Sequence, residues 1–315
     1  MTWTRSLFHV AWLVLVAILL ALGSRRPRAV LEAAAAPIAA TLGLCAKNAL
    51  LFGFFGTSSW LGMSLAKGTT FALPREEREA LISSGELSPF ARVTTRPAFP
   101  DVRDLPPFEA AAPTGVPALD RVRRLGGATN YNQLSWVRVS REYLRDAKVV
   151  LRRDPSVWLF SVGEALTLYF RPSCEDGVLL PGNRRAVAAW EALYDRVVLA
   201  DFGLSWTLLV VHAAALAWGG WFLLARGVRA TDPERGLVLF AWLTVAWVAA
   251  VGNLLEVGEN NRFRWAVDPL AVGLVVHAVS RRSTIMRRSA VLRGPGGAPS
   301  RPADPRDPRA ASPVG

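Results

Sequence analysis

Three stretches of this chain, Leu7 to Gly23, Phe202 to Ala225 and Leu237 to Leu255, are apolar on every side instead of along one face. A helix of that kind must lie inside a large core or in a bilayer. Each run meets the requirement of about 20 mostly apolar residues for a bilayer-spanning helix. Two weaker runs join them. Ala29 to Ala46 is Ala-rich, with Glu32 and Pro37 near its start, and Trp265 to Ser280 holds sixteen residues. The expected fold is mainly α, a polytopic membrane protein of about five transmembrane helices with a large, largely helical extracytoplasmic segment between the second and third. On this reading residues 1–46 hold two N-terminal membrane helices and 47–201 the extracytoplasmic segment with interfacial helices. Residues 202–280 form a three-helix membrane bundle, and 281–315 a basic, disordered cytoplasmic tail.

A net charge of +12 with 51% hydrophobic residues invites a nucleic-acid reading, and the placement of the charge decides against it. Ser24 to Arg28 carries +3, Arg226 to Arg235 +1, and the tail from Arg281 has eight arginines against Asp304 and Asp307. Ten of the twelve excess charges therefore flank apolar runs, the pattern of the positive-inside rule. It orients the chain in the cytoplasmic membrane as a multi-pass protein, with Lys47 to Asp201 and Glu256 to Arg264 outside and the C-terminal tail inside. The long outer segment is nearly balanced, with 20 basic and 17 acidic residues. Ala21-Leu22-Gly23 has the small residues of a signal cleavage site, but Arg5 faces Arg25, Arg26 and Arg28, whereas signals carry their charge in front. Either choice leaves Lys47 to Asp201 outside.

Within that segment, Lys47 to Gly68 is apolar yet broken by Gly and Ser and reads as an interfacial or re-entrant piece. Glu76 to Ile82 is a short charged helix, and the Pro-rich chain from Pro89 to Pro117 has no clear period. From Asn130 to Phe170 the pattern is helical, with Trp136, Val139, Tyr143 and Leu144 on one face and Arg138, Arg141, Arg145 and Lys148 on others. Such a helix suits the headgroup region and equally a water-facing domain. After Asp154-Pro155, the piece from Val157 to Phe170 is apolar on nearly all sides and is expected against the membrane or the bundle.

Chemistry-bearing motifs are few. Cys45 and Cys174 have no partner spacing for zinc or a disulfide framework. His9, His212 and His277 fall at different depths of their spans, so no metal site is expected, and no cofactor. The phosphate loop, the nucleophile elbow, HExxH and CxxC are all missing from the sequence. What remains is GENNRFRWAVDPL, Gly258 to Leu270, a charged turn between two apolar runs. Asp268-Pro269 makes a good helix start, with Asp as N-cap. Arg262 and Arg264 suit a phosphate at the outer interface, since guanidinium forks match phosphate oxygens. Glu256 and Glu259 would hold those arginines or bind sugar hydroxyls. A local salt-bridged turn against lipid headgroups fits the same spacing.

Glu259 to Leu270 resembles the E-x-NR-[FY]-R-x-x-x-[DE]-P-L pattern near the C-terminal end of GT-C superfamily membrane glycosyltransferases, in the protein-mannosyltransferase and aminoarabinose-transferase-like branch. Lys47 to Lys67, Val139 to Phe160 and Tyr169 to Pro172 resemble other stretches of bacterial members. The resemblance implies a polyprenyl-phosphate sugar donor used at the outer face of the membrane, with Arg262, Arg264, Glu259, Asn261, Glu256 and Lys47 as candidates for the lipid phosphate or sugar. It also implies a catalytic carboxylate in an outer loop between the first two spans. Here those spans are joined by Ser24 to Arg28 and no acidic outer loop precedes Lys47, so the catalytic residues have no counterpart. The expectation is a C-terminal portion, inactive alone, performing hexosyl transfer only with a protein that supplies the missing catalytic helices. The alternative is a non-catalytic membrane module that binds a lipid-linked sugar or a protein partner. A small transporter subunit is less supported, because only His212 lies near mid-depth.

Overall fold

The computed structural model describes residues 10–93, 99, 102–106, 112–170, 189, 192, 206–226, 233–258 and 260–292. In chain order these form α1 (Val10–Gly23), α2 (Pro27–Phe52), α3 (Leu61–Gly68), α4 (Arg75–Ser83), α5 (Pro117–Asp120), α6 (Ser135–Arg153), α7 (Pro155–Phe170), α8 (Trp206–Arg226), α9 (Pro233–Leu255), α10 (Asn260–Trp265) and α11 (Asp268–Leu292). Among the described residues there is no strand, only an isolated antiparallel bridge from Arg123 to Thr129. The protein is mainly helical, in two compact units, Met1–Val275 and Val276–Gly315.

Among the described residues three helices are long and apolar enough to cross a membrane: α2, the Thr207–Ala225 part of α8, and α9. In α2 only 11% of the most apolar stretch is buried inside the protein, against 50% in α9. Thus α2 is peripheral and α9 central. Of the first expected span the structure describes α1, a shorter apolar helix. Trp265 to Ser280 falls within α11 for the most part, which also carries Arg281 and Arg282 and is not among the three.

The weak second run proves to be a helix of 26 residues, extending six residues past Ala46 to Phe52. Pro27 sits at its start, where a missing N–H costs nothing. Lys47 is exposed and lays its ammonium 5.7 Å from the Phe52 ring centre, so the charge does not end the helix. Gly53 does, in the left-handed region at φ 69°, its N–H donating to the Ala49 carbonyl at 3.0 Å. Arg141 donates to the carbonyls of Phe52 and Gly53, at 3.2 and 2.6 Å, and so satisfies acceptors the helix end leaves open.

The α3–α6 region is built on aromatics. Trp136, Val139, Tyr143, Ala147 and Val150, spaced three and four apart, form the buried face of α6. Trp136 and Tyr143 pack with Met63, Phe90 and Phe99, and Trp60, Phe71 and Tyr131 close the cluster edge-on or tilted. The apolar side of α6 is thus spent on a protein core, while Arg138, Arg141, Arg145 and Lys148 are exposed. Gly62 is where α3 meets α6: its N–H donates to Ser140 Oγ at 3.1 Å, and Ser140 Oγ donates to the Ser59 carbonyl. Asp146 is fully buried and accepts from the Ser88 N–H at 2.9 Å and the Ser88 hydroxyl at 2.6 Å.

A second core joins α8 and α9 through Ala215, Phe222, Val238, Ala241, Val245 and Val248. Trp242 crosses between them, its Nε1 donating to the Leu216 carbonyl at 2.8 Å beside Gly219. Asp154 opens α7, accepting from the Ser156 N–H at 2.9 Å with Pro155 at the first helical position. Ser161, Ala165 and Tyr169 are the buried face of α7, and Leu159 and Phe160 are exposed.

Candidate functional site

The polar turn between α9 and α10 is organised by one side chain. Asn260 is fully buried, and its amide donates to the carbonyls of Gly252 and Glu256, at 3.1 and 2.8 Å, and to Asn253 Oδ1 at 3.1 Å. Its own Oδ1 accepts from the Gly258 N–H at 3.0 Å. Two of those acceptors are carbonyls at the end of α9, which a helix terminus leaves without partners. Gly258 has φ 133°, a backbone shape that side-chain-bearing residues rarely take. The chain therefore reverses within a few residues, and Glu256 is fixed just past the end of α9.

Glu256 is the polar centre of this end of the molecule. Ser64 Oγ donates to one of its oxygens and Lys67 Nζ to the other at 2.5 Å. Lys67 and Glu256 are only 11% and 13% exposed, so each charge depends on the other. Removing one partner of such a pair costs about 3–5 kcal/mol, because the other is left uncompensated. Ser64 and Lys67 lie three apart on α3 and so share a face.

Glu256 and Ser64 line a groove of about 380 Å³. Its walls are mostly aromatic and aliphatic, with Trp60 and Phe55 on one flank, Trp247, Leu255 and Phe263 contributed by α9 and α10, and the polar Thr57 and Ser58 near the α2–α3 turn. An apolar cleft of this size with a few fixed polar groups is the usual form of a small-ligand site. A carboxylate has about four lone-pair sites. With one donor on each oxygen, Glu256 can still accept from a ligand hydroxyl.

The residues expected to bind phosphate or sugar do not form one constellation. Glu256 is in the groove. Asn261 is half-buried on α10, one position after the structural Asn260. Lys47 is on α2 above Phe52, and Glu259 lies outside the described residues. Arg262 and Arg264 are two apart on α10, a spacing that puts them on different faces. Arg262 is exposed and Arg264 is 3% exposed. Arg264 Nε donates to Asp268 Oδ2 at 3.2 Å and its Nη1 to the Tyr169 carbonyl at 2.7 Å. Asp268 spends its carboxylate there, not on capping. The first backbone bond of α11 runs from Ala271 N–H to the Val267 carbonyl, so Asp268 is the first helical residue and the cap is one position earlier. Burial pushes the Tyr169 phenol up, Asp268 adds to the rise and Arg264 opposes it.

Sequence reasoning missed Ser64, Lys67 and Asn260. The first two lie nearly two hundred positions from Glu256, and no local pattern pairs them. Asn260 had a signal, an Asn within a few residues of the end of a long apolar run, where a side-chain amide can satisfy helix-end carbonyls. Cys45 is buried and free, and Cys174 lies outside the described residues, as does His9. No cluster of three or more metal-ligating side chains occurs among the described residues. Comparison of the chain with protein-family models, curated proteins and solved structures finds no match.

Proposed function

We propose that this chain is an integral membrane protein that binds an amphipathic, hydroxyl-rich ligand, of the lipid-linked sugar class, in the groove headed by Glu256. Three helices suited to crossing a membrane support the setting, and the arginine distribution supports an orientation with the α9–α10 turn and residues 47–201 outside and the tail inside. The spans of the proposal are α1, α2, α8, α9 and α11. One observation carries the ligand class: a carboxylate fixed by Ser64 and Lys67 at the wall of an aromatic groove. Sugar hydroxyls donate to carboxylates, and the apolar walls suit a ring face or the start of a lipid chain. The resemblance of Glu259 to Leu270 to GT-C glycosyltransferases points to the same class of donor. Both oxygens of Glu256 already have donors, an arrangement suited to binding, so the proposal is a binding module. Hexosyl transfer would require a carboxylate base from another protein.

The protein in lipid nanodiscs should bind an undecaprenyl-phosphate hexose saturably, read by tryptophan fluorescence since Trp60 and Trp247 line the groove. Glu256→Gln should weaken binding about tenfold or more, the loss of one charge-assisted hydrogen bond. Leu255→Trp, which fills the groove, should abolish it. Binding unchanged by both substitutions would sink the proposal. Orientation is read separately by labelling introduced cysteines after Cys174→Ser: Ser83→Cys should react from outside, and Arg229→Cys only after permeabilisation.

A further inference from the structure

The groove leaves a second polar cluster unused. His212 is 3% exposed inside α8, and its Nδ1 lies 2.9 Å from the Leu208 carbonyl, one helical turn back. A carbonyl only accepts, so Nδ1 carries a proton and donates it. In the neutral ring Nε2 therefore holds a lone pair, and it faces Asp268 Oδ1 at 3.4 Å. Neither of these two atoms has a hydrogen-bond partner among the described residues, and neither has the buried Tyr169 hydroxyl. The rings of Tyr169 and Phe170 stand edge-on to the imidazole at 6.0 and 5.7 Å. Asp268 and Arg264 are the charged groups acting on the ring, and Arg264 is already bound to the other oxygen of Asp268.

Two acceptors pointed at each other in a buried place are an unstable arrangement, since each has given up water without gaining a donor. A single proton on Nε2 resolves both. It turns the 3.4 Å contact into an ion pair, and a small closing of that gap gives Asp268 Oδ1 a donor. We infer that His212 and Asp268 form a buried proton-binding site that latches α8 to the α10–α11 junction. The latch is mechanical as well as electrostatic. Asp268 begins α11 and grips Arg264 of α10, which in turn holds the Tyr169 carbonyl at the end of α7. Three elements thus meet at the Asp268–Arg264 pair, and proton uptake adds α8 as the fourth. The site stands apart from any ligand of the groove.

The experiment is a pH titration of the full chain in nanodiscs with ¹⁵N-labelled histidine. His9, His212 and His277 are the only histidines, so single substitutions assign the signals. His212 should show a protonated Nδ1 at every pH, with Nε2 as the nitrogen that titrates. Asp268→Asn should lower the proton affinity of His212 at least tenfold. An affinity within twofold of the parent would overturn the proposal. Should that variant fail to fold, the parent alone decides, because a neutral ring protonated on Nε2 instead of Nδ1 is incompatible with the site. Binding of the undecaprenyl-phosphate probe is measured in parallel, and its absence would bear on the groove and leave the titration result intact.

Discussion

Helix α6 and helix α9 are both amphipathic or apolar enough to be recognised at a glance, yet they demand opposite surroundings. On α6 the buried face is Trp136, Val139, Tyr143, Ala147 and Val150, and arginines and a lysine fill the rest. That helix is complete once one side meets the aromatic core and the other meets water. On α9 half of the most apolar stretch is buried, and the rest is still Leu, Val, Ala and Trp, with exposed Leu237 and Leu254. Its neighbour α8 exposes Val210, Trp221 and Leu224. Protein packing leaves these surfaces uncovered, so a low-dielectric solvent has to cover them. Periodicity, more than hydrophobicity, separates the two regions.

The regions also differ in how their helices touch. At Gly62 a Cβ would stand 1.7 Å from the Ser140 carbonyl oxygen and 2.8 Å from the Leu144 nitrogen, both backbone atoms of α6. At Gly219 the obstacle is the Trp242 side chain, 2.6 Å away at Cδ1. Backbone cannot step aside without moving a helix, whereas a ring can rotate. Gly62→Ala should therefore cost more than about 3 kcal/mol, beyond the ordinary range for overpacking, and Gly219→Ala about 1–3 kcal/mol. Chemical denaturation in detergent, followed by tryptophan fluorescence, measures both. Equal losses would mean that the α3–α6 crossing is no tighter than the α8–α9 one.

A smaller effect tests the polar side of the α6 region. Burial raises the Asp146 carboxyl above its usual range, and the two bonds from Ser88 only partly offset it. A carboxyl with a raised folded-state pKa gives its full stability below the unfolded value, near 3.8, and loses it as pH rises through the folded value. The loss is about 1.4 kcal/mol for each unit of displacement. Asn at this position can accept from the Ser88 N–H and donate to its hydroxyl. Asp146→Asn should thus gain on the parent as pH climbs above about 4, read as a difference in thermal midpoint. A constant difference across the range would remove the ionisation of Asp146 from the account.

Much of this was legible in the sequence where the information is local. The charged helix expected over Glu76 to Ile82 is Arg75–Ser83, and Trp136, Val139 and Tyr143 do share a buried face. Helix α2 runs past Ala46 to Phe52 because a long side chain such as Lys47 can reach out while its backbone stays helical. Contacts between distant segments left no trace. Ser64 and Lys67 carry no mark of Glu256, and the depths of the three histidines, which speak against a shared metal, say nothing of the carboxylate of Asp268 beside His212.

The pairing of Arg262 with Arg264 rested on spacing read as sequence distance, and α10 turns that distance into opposition. Two residues on a helix are about 200° apart, so a pair that looks like one phosphate clamp becomes one exposed and one buried guanidinium. Arg264 holds three elements together, while Arg262 is an exposed side chain on another face of α10. The contrast between α6 and α9 is repeated here within six residues: charge is tolerated where solvent reaches it and must be paired where it does not. Arg262→Ala should change stability by no more than about 0.5 kcal/mol, the usual range for surface substitutions. A larger loss on denaturation would show that Arg262 is held as firmly as Arg264, and that α10 has two buried sides instead of one.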